Sequence, residues 1–103
     1  MANYSLNDQL SQSSTSQNFK AEKNIFSYGD KVKQVYLILE GLVRLFVQNN
    51  GEEEEIARLG SGDIVGEAAL LEKNNYISRA ETAQETTLLA FNPEDLKSLM
   101  HQE

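Results

Sequence analysis

From Phe19 onward, apolar and polar residues alternate along the chain, and turn residues interrupt the alternation at short intervals. Ile25-Phe26-Ser27-Tyr28 ends at Gly29-Asp30, and Val35-Tyr36-Leu37-Ile38-Leu39 ends at Glu40-Gly41. Residues 42–47 run into Asn49-Asn50-Gly51, and residues 52–59 run into Gly60-Ser61-Gly62-Asp63. Residues 77–83 and 86–91 read as two more strands. Short strands with turn signals every ~8–12 residues predict an antiparallel, mainly β sandwich or barrel. Asn50-Gly51 is the strongest hairpin signal, because both residue types tolerate positive φ. In the arm before it, Val43, Leu45 and Val47 share one face, and Arg44, Phe46 and Gln48 share the other.

Two stretches break the alternation. Residues 66–71 (Gly-Glu-Ala-Ala-Leu-Leu) follow a tight turn and lack β-branched residues, which predicts a short helix. Asn92 is a good N-cap, Pro93 suits the first helical position, and Glu94 and Asp95 suit the positive end of a helix dipole. Leu96, Leu99 and Met100 then form an apolar stripe, so a C-terminal helix is expected. Residues 1–18 are dominated by small, uncharged polar side chains and are expected to form a disordered arm, with one domain over residues 19–103.

Length and charge narrow the function classes. A chain of 103 residues supports one modest core. Nine Lys and Arg against sixteen Asp and Glu give a net charge of −7. That balance argues against direct nucleic-acid binding, which needs basic side chains in bulk, and against anionic membrane surfaces. No apolar run approaches the ~20 residues needed to cross a bilayer, and no secretory signal is visible at Met1. A cytoplasmic location is expected. The absence of cysteine excludes thiolate metal sites and thiol nucleophiles. His101 stands alone near the end, so neither a metal site nor a Ser–His–acid set is expected, and the chain is not read as an enzyme. Glu52 to Glu55 point alternately to opposite faces of a strand and do not converge as metal ligands would; they read as a solvated edge.

The informative stretch is residues 64–83, IVGEAALLEKNNYISRAETA. Gly66 allows a tight turn, and the N–H groups that open the next helix would carry partial positive charge. Glu67 supplies an acceptor, and Arg79 lies twelve positions on, where a folded-back loop would bring its guanidinium to the same volume. An arginine fork suits bidentate phosphate binding, and a carboxylate suits ligand hydroxyls.

This stretch resembles the phosphate-binding cassette of cyclic nucleotide-binding domains. Such domains occur in the bacterial catabolite-activator and fumarate–nitrate-regulator transcription factors, in kinase regulatory subunits and in gated channels. The family pattern runs F-G-E-L-A-L, a variable loop, then P-R-A-A-T-V; here V-G-E-A-A-L is followed by S-R-A-E-T-A. Tyr28-Gly29-Asp30, Val35 to Gly41 and Gly60 to Ile64 are flanking matches, so the likeness covers residues 19–100. It implies a β-roll of double-stranded β-helix, or jelly-roll, type with a cassette helix and a C-terminal helix. It also implies a ligand, cAMP or another cyclic nucleotide, and an effector domain or partner protein that receives the output through the C-terminal helix. By the resemblance, Glu67 meets the ribose hydroxyl and Arg79 the cyclic phosphate, while the backbones of Gly66, Ala68 and Ala80 approach both. Ala80 has no hydroxyl of the kind that accompanies cGMP preference in the family, so cAMP is the expected base form.

The sequence departs from the pattern at Val65, Ser78 and Glu81. In an extended strand Glu81 would share a face with Arg79 and compete for its guanidinium, and a local irregularity of the strand is expected to turn Glu81 outward instead. The alternative expectation is therefore a ligand-free β-roll that serves as a protein-interaction module, with Arg79 paired to a carboxylate instead of a ligand.

Overall fold

The structure is a computed structural model that describes residues 15–66 and 75–94. Eight strands run in chain order as β1 (Thr15–Phe19), β2 (Asn24–Phe26), β3 (Val35–Glu40), β4 (Val43–Asn49), β5 (Glu52–Leu59), β6 (Ile64–Val65), β7 (Arg79–Thr82) and β8 (Thr86–Phe91). They form two four-stranded sheets, ordered β1-β8-β3-β6 and β2-β7-β4-β5, and every pairing is antiparallel. This is the mainly β architecture expected from the alternation, in the jelly-roll form that the resemblance implies.

The β3–β8 ladder is the centre of the first sheet. Tyr36, Ile38, Leu88 and Ala90 face inward and join Phe26, Val43, Val65, Tyr76 and Ala80 in the main core. Val35, Leu37, Leu89 and Phe91 cluster on the opposite face of the same ladder, with Ile64 packed against them. Burial on both faces explains why these two strands read as nearly continuous apolar runs instead of clean alternation.

Turn chemistry closes the ends as the sequence predicts. Asn50 and Gly51 take φ of 56° and 82° and join β4 to β5. Asp30 Oδ2 accepts the Ser27 N–H at 2.9 Å, and Asp63 Oδ2 accepts the Gly60 N–H at 2.8 Å. Two buried threonines are satisfied. Thr82 donates to the Lys20 carbonyl at 2.6 Å, and Thr86 donates to that of Gln84 at 2.8 Å.

Two strands escaped the sequence reading. Residues 15–18, assigned there to the disordered arm, belong to β1 and pair with β8 from Thr15↔Ala90 to Phe19↔Thr86. Their polar side chains hide the strand, because the backbone ladder on the β8 edge holds it and little apolar burial is needed. Asn18 Nδ2 adds a bond to Thr87 Oγ1 at 3.0 Å. The arm expected over residues 1–14 lies outside the described residues. Strand β6 has two residues and pairs with Tyr36 and Leu37, too short to leave a period.

The expected cassette helix lies outside the described residues. So does all but the start of the expected C-terminal helix, where Asn92 Oδ1 accepts the Glu94 N–H at 3.0 Å in the manner of a cap.

Candidate functional site

The segment 67–74 connects β6, an edge of the first sheet, to β7 in the second. Its two ends are well defined. Gly66 takes φ of 93°, a conformation that favours glycine. A Cβ added there would stand 3.2 Å from Tyr76 Cε1, 3.5 Å from Phe26 Cε2 and 3.7 Å from Val35 Cγ1. Gly66 therefore turns the chain directly against an aromatic wall of the interior.

Tyr76 builds most of that wall. Its ring stacks on Phe26 with centroids 3.8 Å apart and planes 7° from parallel. Its hydroxyl donates to the Gln34 carbonyl. Its backbone N–H donates to the Asp30 carbonyl at 2.9 Å, and its carbonyl accepts the Gly29 N–H at 2.8 Å. Burial pushes the Tyr76 phenol well above its ordinary range, so it stays protonated and donating. The exit of the 67–74 segment is thereby pinned to the β2–β3 connection. Sequence reasoning passed over Tyr76; its signal was an aromatic residue directly after the polar run Glu72-Lys73-Asn74-Asn75.

The expected ligand residues divide between two faces. Ala80 is fully buried in the core with Phe26 and Tyr76, so it stands on the same side as the Gly66 turn. Arg79 precedes it on β7 and points to the opposite side, because neighbouring strand residues alternate. The structure does not bring the Arg79 guanidinium to Gly66. The juxtaposition expected from the twelve-residue separation fails at this residue, since inward burial of Ala80 fixes the outward direction of Arg79. Glu67 and Ala68 lie outside the described residues.

On the outward face Arg79 is fully engaged. Its Nε and one terminal nitrogen donate to the two carboxylate oxygens of Glu53 at 2.6 and 2.9 Å. The other terminal nitrogen reaches Asn24 Oδ1 at 2.8 Å and Glu81 Oε1 at 3.3 Å. The guanidinium carbon sits 4.3 Å from the centroid of the Phe46 ring, and that of Arg44 sits 4.9 Å from the same ring. Tyr28 completes the cluster by donating to Glu53 Oε2 at 2.8 Å. Hydrogen bonds from Arg79 and then Tyr28 hold the Glu53 carboxyl down at about 2, and Glu53 in turn raises Arg79. Arg44 and Arg58 share Glu55 at 3.0 and 2.6 Å.

A β-bulge delivers these carboxylates. The β4–β5 register runs Leu45↔Ala57 and then Phe46↔Glu55, so Ile56 is the extra residue. The one-residue slip puts Glu55 and Glu53 opposite Phe46 and Gln48, on the outward face, and leaves Ile56 exposed at 52%. The edge strand Glu52–Leu59 thus carries its acids as part of an ion-pair network with β2, β4 and β7, not only as a solvated edge.

Among the described residues, no group of three or more His, Asp or Glu is placed to hold a metal ion, and no helix is long and apolar enough to cross a membrane.

Comparison with known proteins agrees with this architecture. Residues 16–103 match the cyclic nucleotide-binding domain family. The cyclic AMP receptor protein of Thermus thermophilus is 38% identical over 79 residues, which is 76% of this chain and 37% of that protein. The crystal structure of the Thermus thermophilus catabolite activator protein superimposes with a TM-score of 0.78 at 34% identity, covering 91% of this chain and 44% of that one. The cAMP-bound structure of PfPKA-R superimposes with a TM-score of 0.74 at 26% identity, covering 84% of this chain and 31% of that one. The chain spans less than half the length of these relatives. With the two-sheet roll, the glycine turn entering residues 67–74 and a match over residues 16–103, the chain belongs to the cyclic nucleotide-binding domain family.

Proposed function

We propose that this chain is a regulatory, non-catalytic domain that binds a cyclic nucleotide, cAMP in preference to cGMP, and passes its occupancy on through residues 92–100. The observation that carries the proposal is the Gly66 turn, held by its positive φ against the interior wall of Tyr76, Phe26 and Val35 at the mouth of residues 67–74. Ligand would sit over that turn. Glu67 would accept from ligand hydroxyls, and the backbones of Ala68 and Ala80 would approach it. Further support comes from the name of the 38% identical receptor protein and from the cAMP held by the PfPKA-R structure. The preference for cAMP rests on Ala80, which offers no hydroxyl. The receiver of the signal is an effector domain or partner protein in the cytoplasm, and the net charge of −7 argues against contact of this chain with nucleic acid or anionic membrane.

Thermal unfolding with added nucleotide tests this. Ligand that binds only the folded state stabilises it by about 2.7 kcal/mol at a hundredfold excess over Kd. The midpoint is expected to rise with cAMP, to rise less with cGMP, and to lose its cAMP response in Glu67→Ala. An unchanged midpoint at millimolar nucleotide would remove the proposal.

One observation favours a second reading. The chain's three arginines all pair with carboxylates on the outward face, which suits a ligand-free roll that serves as a protein-interaction module. Its signature is partner binding with no nucleotide response.

A further inference from the structure

Phosphate recognition normally draws on a guanidinium, and this chain contains only Arg44, Arg58 and Arg79. All three are held on the outward face of the β2-β7-β4-β5 sheet by Glu55 or Glu53. The inward side near Gly66 is walled instead by Tyr76, Phe26 and Val35, which are aromatic and aliphatic. The described lysines, Lys20, Lys23, Lys31 and Lys33, are all exposed.

Arg79 is the arginine nearest the cassette in sequence and also the most committed. Seating it on a ligand over Gly66 would require it to give up both Glu53 oxygens, Asn24, Glu81 and the Phe46 ring. It would also have to pass to the face where Ala80 and Thr82 are fully buried. Its existing partners come from four strands: Asn24 on β2, Phe46 on β4, Glu53 on β5 and Glu81 on β7. Tyr28 ties the β2–β3 connection to the same carboxylate, and that connection also holds Tyr76.

Building on the nucleotide-binding reading above, we infer that Arg79 is a clasp that positions the exit of the cassette from the outside. The ligand is accordingly taken without a guanidinium on its anionic group, so that a purine nucleoside binds comparably to its cyclic phosphate. Positioning and contact leave different marks. A clasp lost from either side loosens the same sheet. A phosphate ligand freed from its carboxylate competitor binds better.

The test is calorimetric titration of the chain with cAMP and with adenosine, in the native protein, in Arg79→Met and in Glu53→Gln. One bidentate charged contact to phosphate corresponds to roughly 10- to 150-fold in affinity. The expected result is a cAMP-to-adenosine ratio below about tenfold that is unchanged in both variants, even where both affinities fall together. A larger ratio that collapses in Arg79→Met and grows in Glu53→Gln overturns the inference, because Arg79 then leaves Glu53 for phosphate. A larger ratio that survives Arg79→Met overturns the nucleoside part, since another donor reads the phosphate. Binding of neither compound removes the nucleotide reading and this inference with it. The clasp has a ligand-independent readout in the NMR titration of the Glu53 carboxyl. It is expected at about 2 in the native chain and raised toward 4.5 in Arg79→Met, where only the Tyr28 hydrogen bond still lowers it, and circular dichroism confirms that each variant is folded.

Discussion

Gly41 is the residue on which the corner between β3 and β4 depends. Its φ is 125°, and a Cβ there would lie 2.6 Å from the Cα of Thr86, which is backbone and cannot swing aside. Gly41→Ala is therefore expected to lose about 2–4 kcal/mol from the sum of overpacking and backbone strain. Urea unfolding measures it, and a loss below about 0.5 kcal/mol, the ordinary scatter of surface changes, would show that the corner relaxes. Arg79 and Ala80 make a different point at the same scale. The sequence marks Arg79 by its guanidinium and Ala80 by its backbone as ligand residues, and adjacent strand positions send their side chains to opposite faces. The burial of Ala80 decides the matter, and its neighbours Phe26 and Tyr76 were not assigned to that wall beforehand. Glu81 was expected to be turned away from Arg79 by a local irregularity of the strand; instead β7 alternates regularly, both residues stand on the same outward face, and a 3.3 Å contact joins them. The partner Glu53 was not foreseen, because it depends on a bulge at Ile56 that no alternation pattern announces.

At the scale of elements, the long apolar runs and the Asn-Gly turn were legible because their signals are local. Strands β1 and β6 were not, because one is polar and the other has two residues, and both are held by neighbours distant in sequence. The Glu53–Arg79 pair links elements in the same non-local way and gives a pH signature. The folded-state value of Glu53 is depressed from 4.5 to about 2, so its stabilisation is fully present above 4.5 and is lost as pH falls toward 2. Glu53→Gln is expected to be less stable than the native chain at neutral pH, with the gap closing between pH 4.5 and 2. Equal acid sensitivity in the two proteins, measured by urea unfolding across that range, would contradict the clasp. The wall facing Gly66 has its own expected cost. Tyr76→Ala should lose about 3–5 kcal/mol, the range for truncating a large buried aromatic. Tyr76→Phe should lose only about 1 kcal/mol, since it forfeits one hydrogen bond to the Gln34 carbonyl and keeps the Phe26 stack.

For the whole molecule, the two sheets share one inward core, and the sequence neighbours β6 and β7 lie in different sheets. Under the proposed function, a ligand would shift the roll only by the difference in its affinity for two arrangements of the molecule. Asn92 caps the chain where it leaves β8, the strand that pairs with both β1 and β3. Under the proposed function, movement of the core would reach Asn92 through β8. The family was legible in the order of its motifs, whereas the outward commitment of the arginines needed the register of four strands.

Calorimetric titration of the chain with cAMP, beside Glu67→Ala, tests the central claim most directly. The account predicts saturable heat with one site per chain in the native protein, weaker heat with cGMP, and none in Glu67→Ala. A flat titration at millimolar cAMP, in a protein whose unfolding transition shows it to be folded, would contradict it and leave the roll as a docking module.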